Sequence, residues 1–315
     1  MTFAASEVDL SGRTVLVTGG AGFIGSHLAS ALVAGNTVRV LDDLSTGRRE
    51  NVPDEAELLV GDVRNDATRS AAMDGVDLVF HEAAQVSVAR SIEQPLATNR
   101  INADATVALL EDARRMDARV VVASSAAVYG QPHSLPITED SPMTPTSPYG
   151  ASKVTADHYV RIYADRYGLP TVALRYFNAY GPGQPGGDYS GVISTFREQA
   201  LTDEPITVEG DGDQTRDFVH VRDVVRANLR AATTDHVGRA YNVATGETVT
   251  IDRLARAIKD VLDSQSPVRY VEAREGDIRH SRADTTAARR DLGFEASVDL
   301  PDGLRTLRGV PAAGD

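Results

Sequence analysis

The first 176 residues alternate between short apolar runs and longer amphipathic stretches. The apolar runs fall at residues 13–18, 37–41, 58–60, 78–81, 120–122 and 171–174. They are rich in Val and Leu and flanked by turn residues, the pattern of short buried strands. Helical patterns occupy residues 26–34, 95–117 and 149–168. Strands and helices alternating at this spacing predict an α/β protein with a parallel, doubly wound sheet. Past residue 174 the pattern changes. The stretch RYFNAYGPGQPGGDYSG is rich in Gly, Pro and Tyr and reads as an ordered loop bordering a site. Beyond it, helices at 192–201, 221–232 and 251–262 are mixed with short strands at 206–208 and 268–271. The expected division is a main domain over 1–176 and a smaller mixed α/β substrate-binding lobe over 177–315, with short returns to the main sheet. The tail past Pro301 reads as short and polar, without a structural signal.

The first strand runs directly into Gly19-Gly20-Ala21-Gly22-Phe23-Ile24-Gly25, with a helical pattern after it. The set satisfies G-x-x-G-x-x-G through Gly19, Gly22 and Gly25, and G-x-G-x-x-G through Gly20, Gly22 and Gly25. Glycines here allow a tight turn and close approach of a pyrophosphate, whose charge the helix N-terminus holds. The main domain is therefore of the Rossmann type. The second strand ends in Asp42-Asp43, about twenty residues on, where an acid bonds the adenosine ribose and repels a 2′-phosphate. NAD is favoured over NADP. Asp62 and Val63, after the third strand, are placed to line an adenine, and the small Ala83 and Ala84 let a cofactor pass close to the backbone.

Composition narrows the class. A hydrophobic content of 42% and a charged content of 24% are those of a globular protein. No apolar run approaches a membrane span, and the N-terminus lacks a basic start and an apolar core, so a cytoplasmic enzyme is expected. The chain has no cysteine, which excludes thiolate chemistry. Its seven histidines show no metal-binding spacing, so no metal is assigned. A net charge of -13 argues against nucleic acid. The acidity and the scarcity of lysine, two against thirty arginines, fit a protein kept soluble in concentrated salt; a GC-rich genome gives the same bias.

One of those lysines carries the candidate chemistry. Lys153 lies four residues after Tyr149, so both lie on one helix face. Ser124 and Ser125 follow the apolar run at 120–122, at the strand end where open α/β sheets bind ligands. A fixed ammonium lowers a phenol's pKa, and a serine hydroxyl relays a proton, so this set can take a proton from an alcohol while a hydride leaves the same carbon. Arg216 and Arg274 are candidates for a diphosphate, though surface pairing is the stronger account of any single arginine in so Arg-rich a chain.

TGGAGFIGSH, LDDLSTG, GDVRND, HEAAQVSV, SSAAVYG, SPYGASK, LRYFNAYGP, GDGDQTRDFVHV and REGDIRHS occur in one order across residues 18–284. Together they resemble the extended short-chain dehydrogenase/reductase family, and within it the UDP-glucose 4-epimerase group of nucleotide-sugar epimerases. The resemblance implies that NAD stays bound, that Tyr149 takes the proton of the sugar 4-hydroxyl through Ser125, and that the 4-keto sugar turns about its diphosphate before hydride returns. Lys153 is implied to hold the nicotinamide ribose and keep the Tyr149 pKa low. Further cofactor contacts are implied for Phe23, Ile24, Ser45, Gly47 and Tyr176, and substrate contacts for Asn178, Val192, Arg216, Arg274 and Ser281. The sugar-nucleotide dehydratases of the family carry acids just after the catalytic Ser/Thr; Ala126 and Ala127 stand there, which disfavours dehydration. The small Ser281 at the group's gate position implies room for N-acetylhexosamines. Ala105, where the group commonly has Gly, implies a helix slightly off the cofactor and weakens Asn102 as a site residue. A homodimer through the helices near 95–117 and 149–168 is implied as well. A uronic acid 4-epimerase, a reductase that releases its cofactor, and a non-catalytic NAD-binding scaffold stay open as alternatives.

Overall fold

The computed structural model describes residues 8–186, 191–273 and 276–308. Six strands come from the first part of the chain: β1 (Thr14–Thr18), β2 (Thr37–Asp42), β3 (Glu57–Val60), β4 (Leu78–His81), β5 (Arg119–Ser125) and β6 (Thr171–Tyr176). A seventh, Arg239–Val243, pairs in parallel with the outer edge of β6. The order is Arg239–Val243, β6, β5, β4, β1, β2, β3, and every pairing is parallel. The order reverses between β1 and β4, which opens a crevice at their carboxyl ends.

Two apolar layers cover the sheet. On one face Val15, Val17, Val40, Phe80 and Val121 pack with Leu28, Val224, Ala227 and Phe294. On the other, Leu16, Val79, Val120 and Val122 meet Met73, Leu109, Leu110, Val160 and Tyr163. The seventh strand and the helix Val221–Ala231 thus belong to the main core although they follow residue 177 in sequence. The helix falls where the pattern predicts one, at 221–232, whereas the strand's apolar run is short and interrupted by Asn242, which hides it from a pattern reading.

The smaller lobe has its own core, built from Ile193, Phe196, Ile206, Val208, Leu254 and Ile258. Its strands Ile206–Glu209 and Val268–Val271 pair in parallel. The C-terminal expectation is corrected here. Leu300–Arg305 is a helix capped by Asp299, whose carboxylate accepts Asp302 N–H, and Leu304 and Leu307, three apart, bury into this lobe. Two apolar residues in a polar tail are a weak signal until a groove exists to receive them.

The stretch predicted as one helix over 95–117 is also revised. A separate helix, Val88–Glu93, precedes it, and the run Pro95–Asn99, Arg100–Asp104, Ala105–Met116 carries a π-turn in its middle segment. Among the described residues no helix is long and apolar enough to cross a membrane.

Candidate active site

A cleft of about 1580 Å³ runs along the carboxyl ends of the strands and into the smaller lobe. One end is the glycine turn. Gly19 has φ +68, and a Cβ there would lie 2.7 Å from Ala83 N; one on Gly25 would lie 2.2 Å from Gly19 O. Strand, turn and helix approach this closely because neither position has a side chain. The helix Phe23–Leu32 starts three residues before the predicted 26, and Gly22 at its N-cap offers no side-chain cap. Its first amides are left for an anion, which fits a pyrophosphate.

Asp42 and Asp43 divide their work. Buried Asp42 accepts Ala21 N–H at 2.9 Å and Leu44 N–H at 2.8 Å, shaping the glycine turn, and burial pushes its carboxyl up. Exposed Asp43 accepts from the Ser45 amide and hydroxyl. Both line the cleft, with Gly22, Phe23, Ile24, Ser45, Asp62, Val63, Ala83 and Ala84. Gly47 is off the wall: a Cβ there would meet the Ala21 carbonyl carbon at 2.8 Å, so it seats the loop against the glycine turn. Asp62 forms an ion pair with Arg64, which also lines the cleft.

At the other end of the crevice β5 delivers Ser124 and Ser125, and the helix Pro148–Tyr167 delivers Tyr149 and Lys153 from its first turns. Ser147 caps that helix by accepting Gly150 N–H. Ser124 turns away into the core, donating to Asp157 Oδ2 at 3.0 Å, whereas the Ser125 hydroxyl faces the Tyr149 phenol. Burial pushes the Tyr149 phenol up, and the Ser125 contact pulls it down. The Lys153 ammonium donates to Ala123 O at 2.8 Å. Burial lowers its pKa to about 8, with Glu82 opposing. Its charge also acts on Glu82 and His81. The tether to Ala123 directs the ammonium toward the β4 end.

Of the implied substrate residues, Asn178, Val192 and Arg216 line the smaller-lobe side of the cleft. Asn178 adopts φ +26 and donates to Asp217 O at 2.7 Å; Arg216 pairs with Asp277 at 2.5 Å. Ser281 is buried away from the cleft wall, its N–H bonded to Thr215 O. Arg274 lies outside the described residues.

Two residues not selected from sequence matter to the site. Asn102, on the π-turn, is 1% exposed, and its amide holds Gln85 by both the N–H (2.8 Å) and the C=O (2.9 Å). It also donates to Ser152 Oγ, whose hydroxyl donates to Tyr149 O at 2.7 Å. Asn102 ties the cleft wall at Gln85 to the helix bearing Tyr149 and Lys153. The other is Glu82, at the carboxyl end of β4 on the cleft wall. Its strand-end position in the crevice was the available signal.

Residues 15–244 match the NAD dependent epimerase/dehydratase family. The chain is 39% identical to a UDP-glucose 4-epimerase of Mycolicibacterium smegmatis over 92% of this chain and 95% of that one. Its fold is similar to a UDP-N-acetylglucosamine 4-epimerase of Methanobrevibacter ruminantium in complex with UDP-N-acetylmuramic acid. That match has a TM-score of 0.91 and 38% identity, covering 94% of this chain and 97% of that one. A Thermus thermophilus UDP-glucose 4-epimerase in complex with NAD is similar at TM-score 0.88 and 36% identity, covering 95% and 100%. The chain belongs to the NAD dependent epimerase/dehydratase family. It is an enzyme with NAD as its cofactor, similar to nucleotide-sugar epimerases.

Proposed function

We propose that this enzyme inverts carbon 4 of a UDP-hexose, interconverting UDP-glucose and UDP-galactose, and that it admits their N-acetylated forms. The observation that carries the reading is Ser125, Tyr149 and Lys153 meeting where the dinucleotide crevice opens into the smaller lobe, with Ala126 and Ala127 in place of acids after Ser125. The glycine turn, the uncapped helix N-terminus and the two aspartates fit NAD, which when bound accepts a hydride from the sugar carbon and returns it. Tyr149 removes the hydroxyl proton, Ser125 bridges phenol and substrate, and Lys153 supplies the positive charge that a phenolate needs. Arg216 and Asn178 hold the diphosphate, with phosphate replacing Asp277 as the partner of Arg216. The N-acetyl reading is supported by the Methanobrevibacter relative, since Ser281 lies away from the wall.

The purified protein, without added NAD, is incubated with UDP-galactose and with UDP-N-acetylglucosamine, and epimers are separated by chromatography. Interconversion of both is expected. Inactivity on both, even with NAD supplied, overturns the reading and moves the substrate to a uronic acid or another nucleotide. Activity on UDP-galactose alone removes the N-acetyl part.

A further inference from the structure

Glu82 is a half-buried carboxyl group on the cleft wall that the reaction above leaves unused. It immediately precedes Ala83, the residue against which Gly19 is packed. Its Oε1 accepts the Tyr176 hydroxyl at 2.8 Å. The same hydroxyl receives Asn228 Nδ2 at 2.8 Å. An amide nitrogen only donates, so Tyr176 directs its one proton to Glu82, and Glu82 acts as acceptor. This polarity favours the carboxylate. Burial pushes Glu82 up to about 7, while the Tyr176 bond and the Lys153 charge pull it down. Lys153, its cationic neighbour, is held on Ala123 O at 2.8 Å. The reactive end of the crevice therefore contains a half-buried carboxyl group, held as an acceptor by Tyr176 and ionised above neutrality.

The oxidised nicotinamide ring carries a positive charge that it loses on reduction. A nearby fixed anion stabilises the first state and not the second, and in a site shielded from water the difference is large. We propose that the Glu82 carboxylate sets the redox balance of the resident NAD, holding it toward the oxidised form. In the forward step two electrons and a proton leave the sugar carbon as hydride and the hydroxyl proton passes to Tyr149; both return in the reverse step. Glu82 exchanges no atom in either. Its contribution is to keep return of the hydride favourable, so that an escaping keto sugar does not strand the enzyme reduced. The inference rests on NAD as resident cofactor and on no particular sugar.

The test is a redox titration of the holoenzyme without sugar, at mildly alkaline pH, following the absorbance and fluorescence of the reduced ring. Glu82→Gln keeps the shape and the bond from Tyr176 but removes the charge. Its ratio of reduced to oxidised cofactor at fixed potential is expected to rise about tenfold, an upward shift of about 30 mV for a two-electron couple. Glu82→Asp, which keeps the charge, is expected to stay within about threefold of wild type, on the same Coulomb reasoning. The gap between wild type and Glu82→Gln should close as pH falls through neutrality. The titratable groups facing Glu82 there are Lys153 from the helix Pro148–Tyr167 and Tyr176 from β6; His81 on its own strand is held neutral, its pKa pushed down to about 3. A Glu82→Gln titration that superimposes on wild type overturns the proposal. So does an equal shift in Glu82→Asp, which would assign the effect to packing. A protein inactive on UDP-hexoses would still give this titration, so the two readings fail separately.

Discussion

Burial holds the Tyr149 phenol above its ordinary value, so its ionised form grows with pH and turnover should rise on the alkaline side. Tyr149→Phe removes the proton acceptor and leaves the ring in place. It is expected to lower kcat about 10³-fold with KM nearly unchanged, read by steady-state epimerisation. His81 offers a separate stability test. Thr106 donates to Asn102 O at 2.7 Å, so it accepts from His81 Nε2–H; His81 Nδ1 then accepts the Thr18 hydroxyl at 2.7 Å. The ring is neutral, its pKa pushed down to about 3 by burial. In the unfolded chain it titrates near ~6.5. Between those values the unfolded state holds more protons, so this stability is whole above ~6.5 and lost as pH falls toward the folded value. Urea unfolding should show wild type losing about 2 kcal/mol between pH 7 and pH 5 that His81→Gln does not lose.

β5, β6 and the helix Pro148–Tyr167 are locked together by one buried charge pair. Arg175, 1% exposed, donates through Nε and Nη2 to Asp157, each at 2.9 Å, and through Nη1 to the Tyr129 hydroxyl and Glu139 O. Asp157 also accepts Ser124, next to Ser125. Removing one partner strands a buried charge. Asp157→Ala is expected to cost about 3–5 kcal/mol in denaturant unfolding, and a Leu–Met replacement of the pair should recover most of it. This lock was invisible in sequence, where Arg175 follows an apolar run and reads as its end. The elements of the main sheet were legible because strands buried on both faces leave Val and Leu runs and because Gly19 to Gly25 marks one turn chemistry. Tyr149 and Lys153 were legible because four residues span one helical turn. The bonds of Asn102 and the pairing of Arg216 with Asp277 were not, because each depends on side chains brought together from distant segments. Ser281 and Gly47 show the converse: residues matched by position whose side of the backbone only packing determines.

At the scale of the molecule, Ile92, Leu96, Tyr159, Ile162 and Tyr167 leave exposed apolar surface on the helices that flank β5. The reading of a homodimer through these helices predicts that Ile162→Asp converts a dimer to a monomer in sedimentation, while wild type stays paired. The charge of -13 bears on the same assembly, since self-repulsion between copies is screened by salt and pairing should tighten as ionic strength rises. The seventh strand has a further consequence. β6 is flanked by β5 on one side and by Arg239–Val243 on the other, so its outer edge has no partner until residue 243 has been made. During synthesis the ribosome releases the helix Pro148–Tyr167 and both serines well before the sheet closes, leaving the Thr171–Tyr176 edge open to neighbouring chains. A nascent chain stalled between these strands would hold Ser125, Tyr149 and Lys153 and yet be a substrate for chaperones, and an expression fragment ended at Tyr176 would inherit that exposed edge permanently.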